Sequence, residues 1–138
     1  MKYDDASWHY GGDFPADLPR EAGSTHIAMF LAWAVLNGLG SDHHKVDTLE
    51  EFSKLRAREV TPGEWFRRTC DEKFTDEDLS DEGNLFAVRY YGDDGSYLDD
   101  YCNTFPSVSS LYYVDDSWAS FDALAPIIAG RLLVSRSS

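Results

Sequence analysis

The densest group of potential metal ligands in this sequence is a polar loop that holds Asp42, His43, His44 and Asp47. Imidazole and carboxylate groups are zinc ligands, and a bound zinc ion can activate water for hydrolysis. Adjacent histidine side chains usually diverge, however, and no HExxH spacing places two histidines on one helix face. The pattern favours a solvated loop, and a metal-dependent hydrolase built on residues 42–47 stays open as an alternative.

The other two histidines lie close to acidic or capping groups. His9 follows Trp8 in the N-terminal segment, and we expect it to hydrogen-bond Asp4 or Asp5 within the fold. His26 stands at the start of an apolar segment, where a bond to a capping or acidic group is the commoner role. Neither position predicts a metal site.

Signatures of the common enzyme classes are missing from the sequence. There is no GxSxG, no SxxK, no catalytic-cysteine context and no glycine-rich phosphate loop. The 25 acidic residues offer many carboxylate pairs for glycoside chemistry, but no motif singles out one pair. We therefore predict a protein that is not an enzyme, with no catalytic residues, no metal and no cofactor.

Acidic residues are concentrated between Lys73 and Tyr101, where nine acids face two bases and alternate with aromatic residues. Aromatic anchors surrounded by acids are typical of an interface with a basic protein, because the acids steer association and the aromatics are buried on binding. The alternative is a solvated face over a core that contains those aromatics. The predicted partner-binding residues are Asp76, Glu77, Asp78, Asp81, Glu82, Asp93, Asp94, Tyr97, Asp99 and Asp100, with Tyr97 as the anchor.

Composition limits the classes of partner and compartment. The chain has 138 residues, 12 basic and 25 acidic, which gives a formal net charge of −13. Such a surface repels phosphate backbones and anionic lipids, so neither direct nucleic-acid binding nor membrane binding is expected. With two cysteines and no signal peptide, we predict a cytoplasmic protein with free thiols, forming one domain over residues 1–138.

Hydrophobic periodicity and capping residues predict an all-α domain of six or seven helices. A helix over 25–37 is apolar on all sides and ends at Gly38, and Thr61-Pro62-Gly63-Glu64 has the pattern of a capping box. Residues 3–23 are predicted to form an irregular arm that lies on the helices. Residues 111–114 form the one strand-like run, and we expect an extended crossing segment there. Further helices are predicted near 48–58, 84–91, 96–105 and 117–134.

A motif at the N-terminus carries a resemblance. Residues 2–10 read KYDDASWHY, and the chain resembles a family of small, acidic, uncharacterised bacterial proteins that open with this motif. The resemblance continues through Gly12-Asp13-Phe14-Pro15 and residues 73–79, and ends at Asp116-Ser117-Trp118 and Phe121. Members of this kind are similar to immunity proteins encoded beside secreted antibacterial toxins. The resemblance implies no catalytic residue.

Charge and resemblance together predict an immunity protein. It would bind the toxic domain of a contact-delivered bacterial effector, such as a type VI secreted one, and occlude a basic cleft that acts on nucleic acids or nucleotides. The alternatives are the metal-dependent hydrolase and a non-enzymatic scaffold or regulatory module. The oligomeric state is left open.

Overall fold

The computed structural model describes residues 1–10, 14–92 and 95–137, and in these ranges the chain is mainly helical. Its six α-helices are α1 (Thr25–Leu36), α2 (Leu49–Arg56), α3 (Pro62–Cys70), α4 (Asp81–Tyr90), α5 (Tyr97–Thr104) and α6 (Trp118–Ser137). The described residues also contain a π-helical turn, His43–Asp47, and short 3₁₀ turns at Ala6–His9, Arg20–Gly23, Asp76–Asp78 and Leu111–Tyr113. The predicted all-α class is confirmed.

Helix α1 forms the centre of the core. Every residue from Thr25 to Val35 is buried, so its apolar composition on all sides reflects contact with neighbours in every direction. It packs against α3 and α6. Gly38, at φ +82°, follows the helix in the left-handed conformation that the sequence predicts.

Helix α3 begins as predicted. Thr61 accepts a hydrogen bond from the backbone N–H of Glu64, and Glu64 accepts one from the backbone N–H of Thr61, with Pro62 in the first turn. The Asp116 carboxylate then accepts bonds from the Thr61 hydroxyl and the Gly63 N–H, at 2.6 and 2.8 Å. This carboxylate therefore joins the segment before α6 to the start of α3.

The N-terminal arm is more regular than predicted. Strand β1 (Lys2–Asp5) pairs antiparallel with β2 (Lys73–Thr75), with Asp4 opposite Phe74. A 3₁₀ turn, Ala6–His9, follows directly, and its Asp5 cap accepts a bond from the N–H of Ser7. The strands are four and three residues long, too short to show the alternation of apolar and polar residues that indicates a strand. They also lie about 70 positions apart in the chain.

The prediction of an extended segment at 111–114 is wrong for residues 111–113. Leu111–Tyr113 form a 3₁₀ turn, because the Ser110 hydroxyl accepts a bond from the N–H of Tyr112 and no described strand lies beside the segment. Only Val114 keeps an extended backbone. The turn brings Tyr112 onto the N-terminal arm, where it contacts His9.

Helix α6 is the one helix among the described residues whose length and composition would allow it to cross a membrane. Its mean hydropathy reaches 1.2 and 22% of this apolar window is buried, and one such helix is weak evidence for a membrane span. Here Phe121, Leu124, Ile128 and Leu132 are buried against the domain. Arg131, on the same helix, forms an ion pair with Asp100.

Candidate functional site

The structure divides the predicted partner-binding residues into three groups. Glu77, Asp81, Glu82 and Asp99 are exposed, and Asp76 is half-exposed beside the N-terminal ammonium group. Asp78, Tyr97 and Asp100 are buried. Asp93 and Asp94 lie outside the described residues. The solvent-facing part of the predicted surface is therefore narrower than the run of acids in the sequence.

The prediction that Tyr97 is a surface anchor is wrong. Its side chain is 1% exposed, its hydroxyl donates to the backbone carbonyl of His26, and its ring stacks on Tyr91 at 5.0 Å. Because α5 turns Tyr97 and Tyr101 inward, Leu98 and Asp99 face solvent instead. The four-residue spacing of the two tyrosines is the sequence signal for this inward face.

The prediction that Asp100 contacts a partner is wrong, because its carboxylate is already paired within the chain. Both of its oxygens accept from the Arg131 guanidinium, at 2.9 and 3.0 Å, and Oδ2 also accepts from the Tyr90 hydroxyl. Burial by itself would raise the pKa of this carboxyl, but the hydrogen bonds from Arg131 and Tyr90 and the Arg131 charge hold it below its ordinary value.

Acid should remove the stability that Asp100 contributes. Since its pKa is lower in the folded than in the unfolded chain, the contribution is complete above the unfolded value and is lost as pH falls through the folded one. Because Arg131 is half-exposed, we expect Asp100→Asn to cost only about 1–2 kcal/mol at pH 7. Urea denaturation of both proteins from pH 7 to acid measures this, and a stability difference that stays constant with pH would contradict it.

Helix α4 presents a mixed acidic and apolar surface, which we call the α4 face: Asp81, Glu82, Leu85 and Val88. Leu85 is 65% exposed and Val88 is 57% exposed, while Phe86 and Tyr90 on the opposite side are buried. Glu82 forms an ion pair with Arg136 of α6, whereas Asp81 forms no ion pair among the described residues. The acids of this face were predicted from the sequence, but the two exposed aliphatic side chains were not.

A second group, the arm cluster, consists of Asp4, His9 and His26. Nε2 of His9 lies 2.8 Å from Oδ1 of Asp4, and Nε2 of His26 lies 3.5 Å from Oδ2 of the same carboxylate. The two imidazole rings meet edge to face with centroids 4.5 Å apart. The predicted bond between His9 and Asp4 is confirmed, as is the proximity of His26 to an acidic group.

Three separate elements place the arm cluster. Asp4 comes from β1, His9 from the 3₁₀ turn and His26 from the first turn of α1. Burial by itself would raise the pKa of the Asp4 carboxyl, but the adjacent imidazoles of His26 and His9 and the hydroxyl of Tyr91 hold it below its ordinary value. Burial lowers the pKa of His26 more than the Asp4 carboxylate raises it.

The loop at 42–47 does not assemble the metal site that the hydrolase alternative requires. His43 is exposed and lies 3.8 Å from the exposed Asp47, whereas His44 is fully buried and bonds Asp78 at 2.8 Å. Asp42 is exposed as well. The two imidazole rings do not diverge, since they meet edge to face with centroids 4.9 Å apart, but each faces a different carboxylate.

The prediction that Asp78 contacts a partner is wrong, because its side chain is buried. It belongs to a group that we call the loop cluster: His44, Cys70 and Asp78. The Cys70 sulfur lies 3.8 Å from both His44 Nε2 and Asp78 Oδ1. Burial and the Asp78 charge raise the pKa of the Cys70 thiol. Nε2 of His44 is engaged by the carboxylate, so the cluster lacks the base–thiolate pair of a cysteine nucleophile.

Alkylation should distinguish the two free cysteines. Cys102 is exposed, while Cys70 is held as a protonated thiol. We expect iodoacetamide to modify native Cys102 roughly 100-fold or more faster than Cys70, since the thiolate is the reacting form. Mass spectrometry of native and urea-unfolded protein measures this. Equal rates in the native protein would show that Cys70 is reactive after all.

Comparison with known proteins places the chain in a family. Residues 2–114 match the model of a domain of unknown function, DUF7832. The chain belongs to the DUF7832 family. No curated protein and no solved structure matches it. The DUF7832 match contains the α4 face, the arm cluster and the loop cluster, whereas α6 lies beyond it.

Proposed function

We propose that this DUF7832 protein is an immunity protein that binds a basic antibacterial toxin and inhibits it by covering its active cleft. The observation that carries the proposal is the α4 face, where two exposed aliphatic side chains lie beside Asp81 and Glu82. The protein would act as a stoichiometric inhibitor, with no chemistry of its own.

The apolar part of the α4 face supports binding to a protein. Leu85 and Val88 are three residues apart on one helix and both point to solvent, so a partner can cover them together. Association that buries apolar surface is favourable, and surrounding polar residues exclude water from such contacts. A helix face that stays in contact with water gains nothing from two exposed aliphatic side chains such as Leu85 and Val88.

The charge of the chain supports a basic partner. The formal net charge is −13, and Glu77, Asp81 and Asp99 remain exposed without a basic side chain in ion-pair contact among the described residues. A toxin that acts on nucleic acids or nucleotides has a basic cleft, which such a surface complements and attracts over a distance. The same charge opposes binding to nucleic acids and anionic membranes, and the cytoplasm of the toxin-producing cell is the compartment where inhibition is needed.

Neither alternative function gains a specific observation. The hydrolase alternative depends on residues 42–47, where His43 faces Asp47 and His44 is bonded instead to Asp78, outside this loop. A scaffold or regulatory module would share the exposed α4 face, but would not require a toxin as its partner.

Co-expression with the neighbouring toxin tests the proposal. The toxic domain encoded beside this gene is induced in an indicator strain, with or without this protein. We expect growth to stop without the protein and to be restored with it, and the two proteins to co-purify in equal amounts. A neighbouring gene without a toxic domain, or a toxin that kills equally in both strains, would contradict the proposal.

A further inference from the structure

We propose that the arm cluster is a binding site for a divalent first-row transition metal ion, with Zn²⁺ as its natural class of occupant. Asp4 would supply a carboxylate oxygen, and His9 and His26 would each supply an imidazole nitrogen. This inference is independent of toxin binding.

The three donor groups already converge. Their ligand atoms all lie within 4.8 Å of one another. Ligands bonded to zinc at about 2.0–2.2 Å stand roughly 3.0–3.5 Å apart. The 3.5 Å separation between Asp4 and His26 lies at the upper end of that range, and the 2.8 Å separation between Asp4 and His9 is slightly shorter than its lower end. Small movements of the side chains would therefore complete the first coordination shell.

His26 is the observation that points to a ligand. Its side chain is fully buried, Nδ1 has no hydrogen-bond partner among the described residues, and Nε2 has only the long 3.5 Å contact with the Asp4 carboxylate. Buried polar groups are nearly always satisfied, so an imidazole with one long contact needs an explanation. A metal ion between Nε2 and Asp4 supplies one for this nitrogen.

Surrounding hydroxyl groups hold the ligands in the manner of metal sites. Nδ1 of His9 lies 2.7 Å from the Tyr112 hydroxyl, which fixes the ring with Nε2 toward Asp4. The Tyr91 hydroxyl donates to the Asp4 carboxylate. Such outer bonds orient ligands in known metal centres.

The loop cluster is the competing site, and it is the weaker one. Nε2 of His44 bonds the Asp78 carboxylate at 2.8 Å, just as Nε2 of His9 bonds Asp4, and Nδ1 of His44 lacks a partner among the described residues, just as Nδ1 of His26 does. The difference lies in Cys70. Metal binding there would require its thiol to ionise beside the Asp78 charge, although burial and that charge raise the pKa of the thiol.

Metal titration of the full chain tests the assignment. After removal of metal with a chelator, Zn²⁺ is added and binding is followed by calorimetry, with the melting temperature as a second readout. We expect one equivalent to bind with a dissociation constant of micromolar or tighter, and the melting temperature to rise because the ion links β1 and α1.

Three variants locate the ion. His9→Gln, at a partly exposed position, should weaken Zn²⁺ binding at least about 100-fold, and Tyr112→Phe should weaken it by about 10- to 100-fold. His43→Gln, at an exposed histidine outside both clusters, should leave the affinity unchanged. Circular dichroism checks that each variant is folded.

Cobalt distinguishes the two clusters. Co²⁺ bound by nitrogen and oxygen ligands shows visible d–d bands, and a thiolate ligand adds an intense near-ultraviolet band. We expect the visible bands without the thiolate band, in wild type and in Cys70→Ser alike. A thiolate band that Cys70→Ser abolishes, Zn²⁺ affinity unchanged in His9→Gln, or no binding in the micromolar range would each overturn the proposal.

Discussion

Replacing Tyr97 with alanine should lower the free energy of unfolding by about 3–5 kcal/mol, the usual cost of removing a large aromatic side chain from a core. The ring is fully enclosed, contacts Phe30, Tyr90, Tyr91 and Tyr101, and holds the His26 carbonyl through its hydroxyl. Urea denaturation followed by circular dichroism measures the change.

Two matched variants separate the contributions of Tyr97. Tyr97→Phe keeps the ring and removes the hydrogen bond, so it should cost about 0.5–1.5 kcal/mol. Leu98→Ala, at the adjacent exposed position, should change stability by no more than about 0.5 kcal/mol. If Tyr97→Ala is as stable as wild type and instead speeds dissociation from a toxin, Tyr97 belongs to the interface that the sequence suggested.

Introducing lysine at Leu85 and Val88 together should weaken binding to a basic toxin at least about 100-fold, which corresponds to about 2.7 kcal/mol. Both side chains are largely exposed, so the free protein should lose little stability. The substitution removes apolar contact and places positive charge against positive charge. Binding kinetics on immobilised toxin measure the loss.

The control for the α4 face is an equal change on another exposed apolar surface. Val46 and Leu49, beside and in α2, are 64% and 53% exposed, and lysine at both positions adds the same charge as the variant of the α4 face. We expect this control variant to bind within about threefold of wild type at physiological ionic strength, because added charge away from the contact is largely screened. Equal loss in both variants would attribute the effect to net charge alone.

The sequence was most informative where structure is local. The apolar segment before Gly38 and the capping box at Thr61 are determined by neighbours within a few residues. The sequence predicts both ends of α1 to within one residue, and the start of α3. The pairing of β1 with β2 was missed, since its partners lie about 70 residues apart and offer no local pattern.

The candidate sites show the same limit. The run of acids in the sequence includes Asp81 and Glu82, which are exposed. It does not show that Asp78 bonds His44, 34 residues away, or that Asp100 bonds Arg131, 31 residues away. The bond between His9 and Asp4 was predictable at a separation of five residues. The approach of His26 to both required the fold, because α1 has to pack beneath the arm.

The central claim is that an acidic surface brings this protein to a basic toxin, and the dependence of the association rate on salt tests it most directly. Wild type should associate at least about tenfold more slowly as ionic strength rises from well below to above physiological, since salt screens charges over about 8 Å at 0.15 M. Charge reversal at the exposed acids Glu77, Asp81 and Asp99 to lysine should slow association at low salt and flatten this dependence. An association rate that is independent of salt, and unchanged by the reversal, would contradict the account.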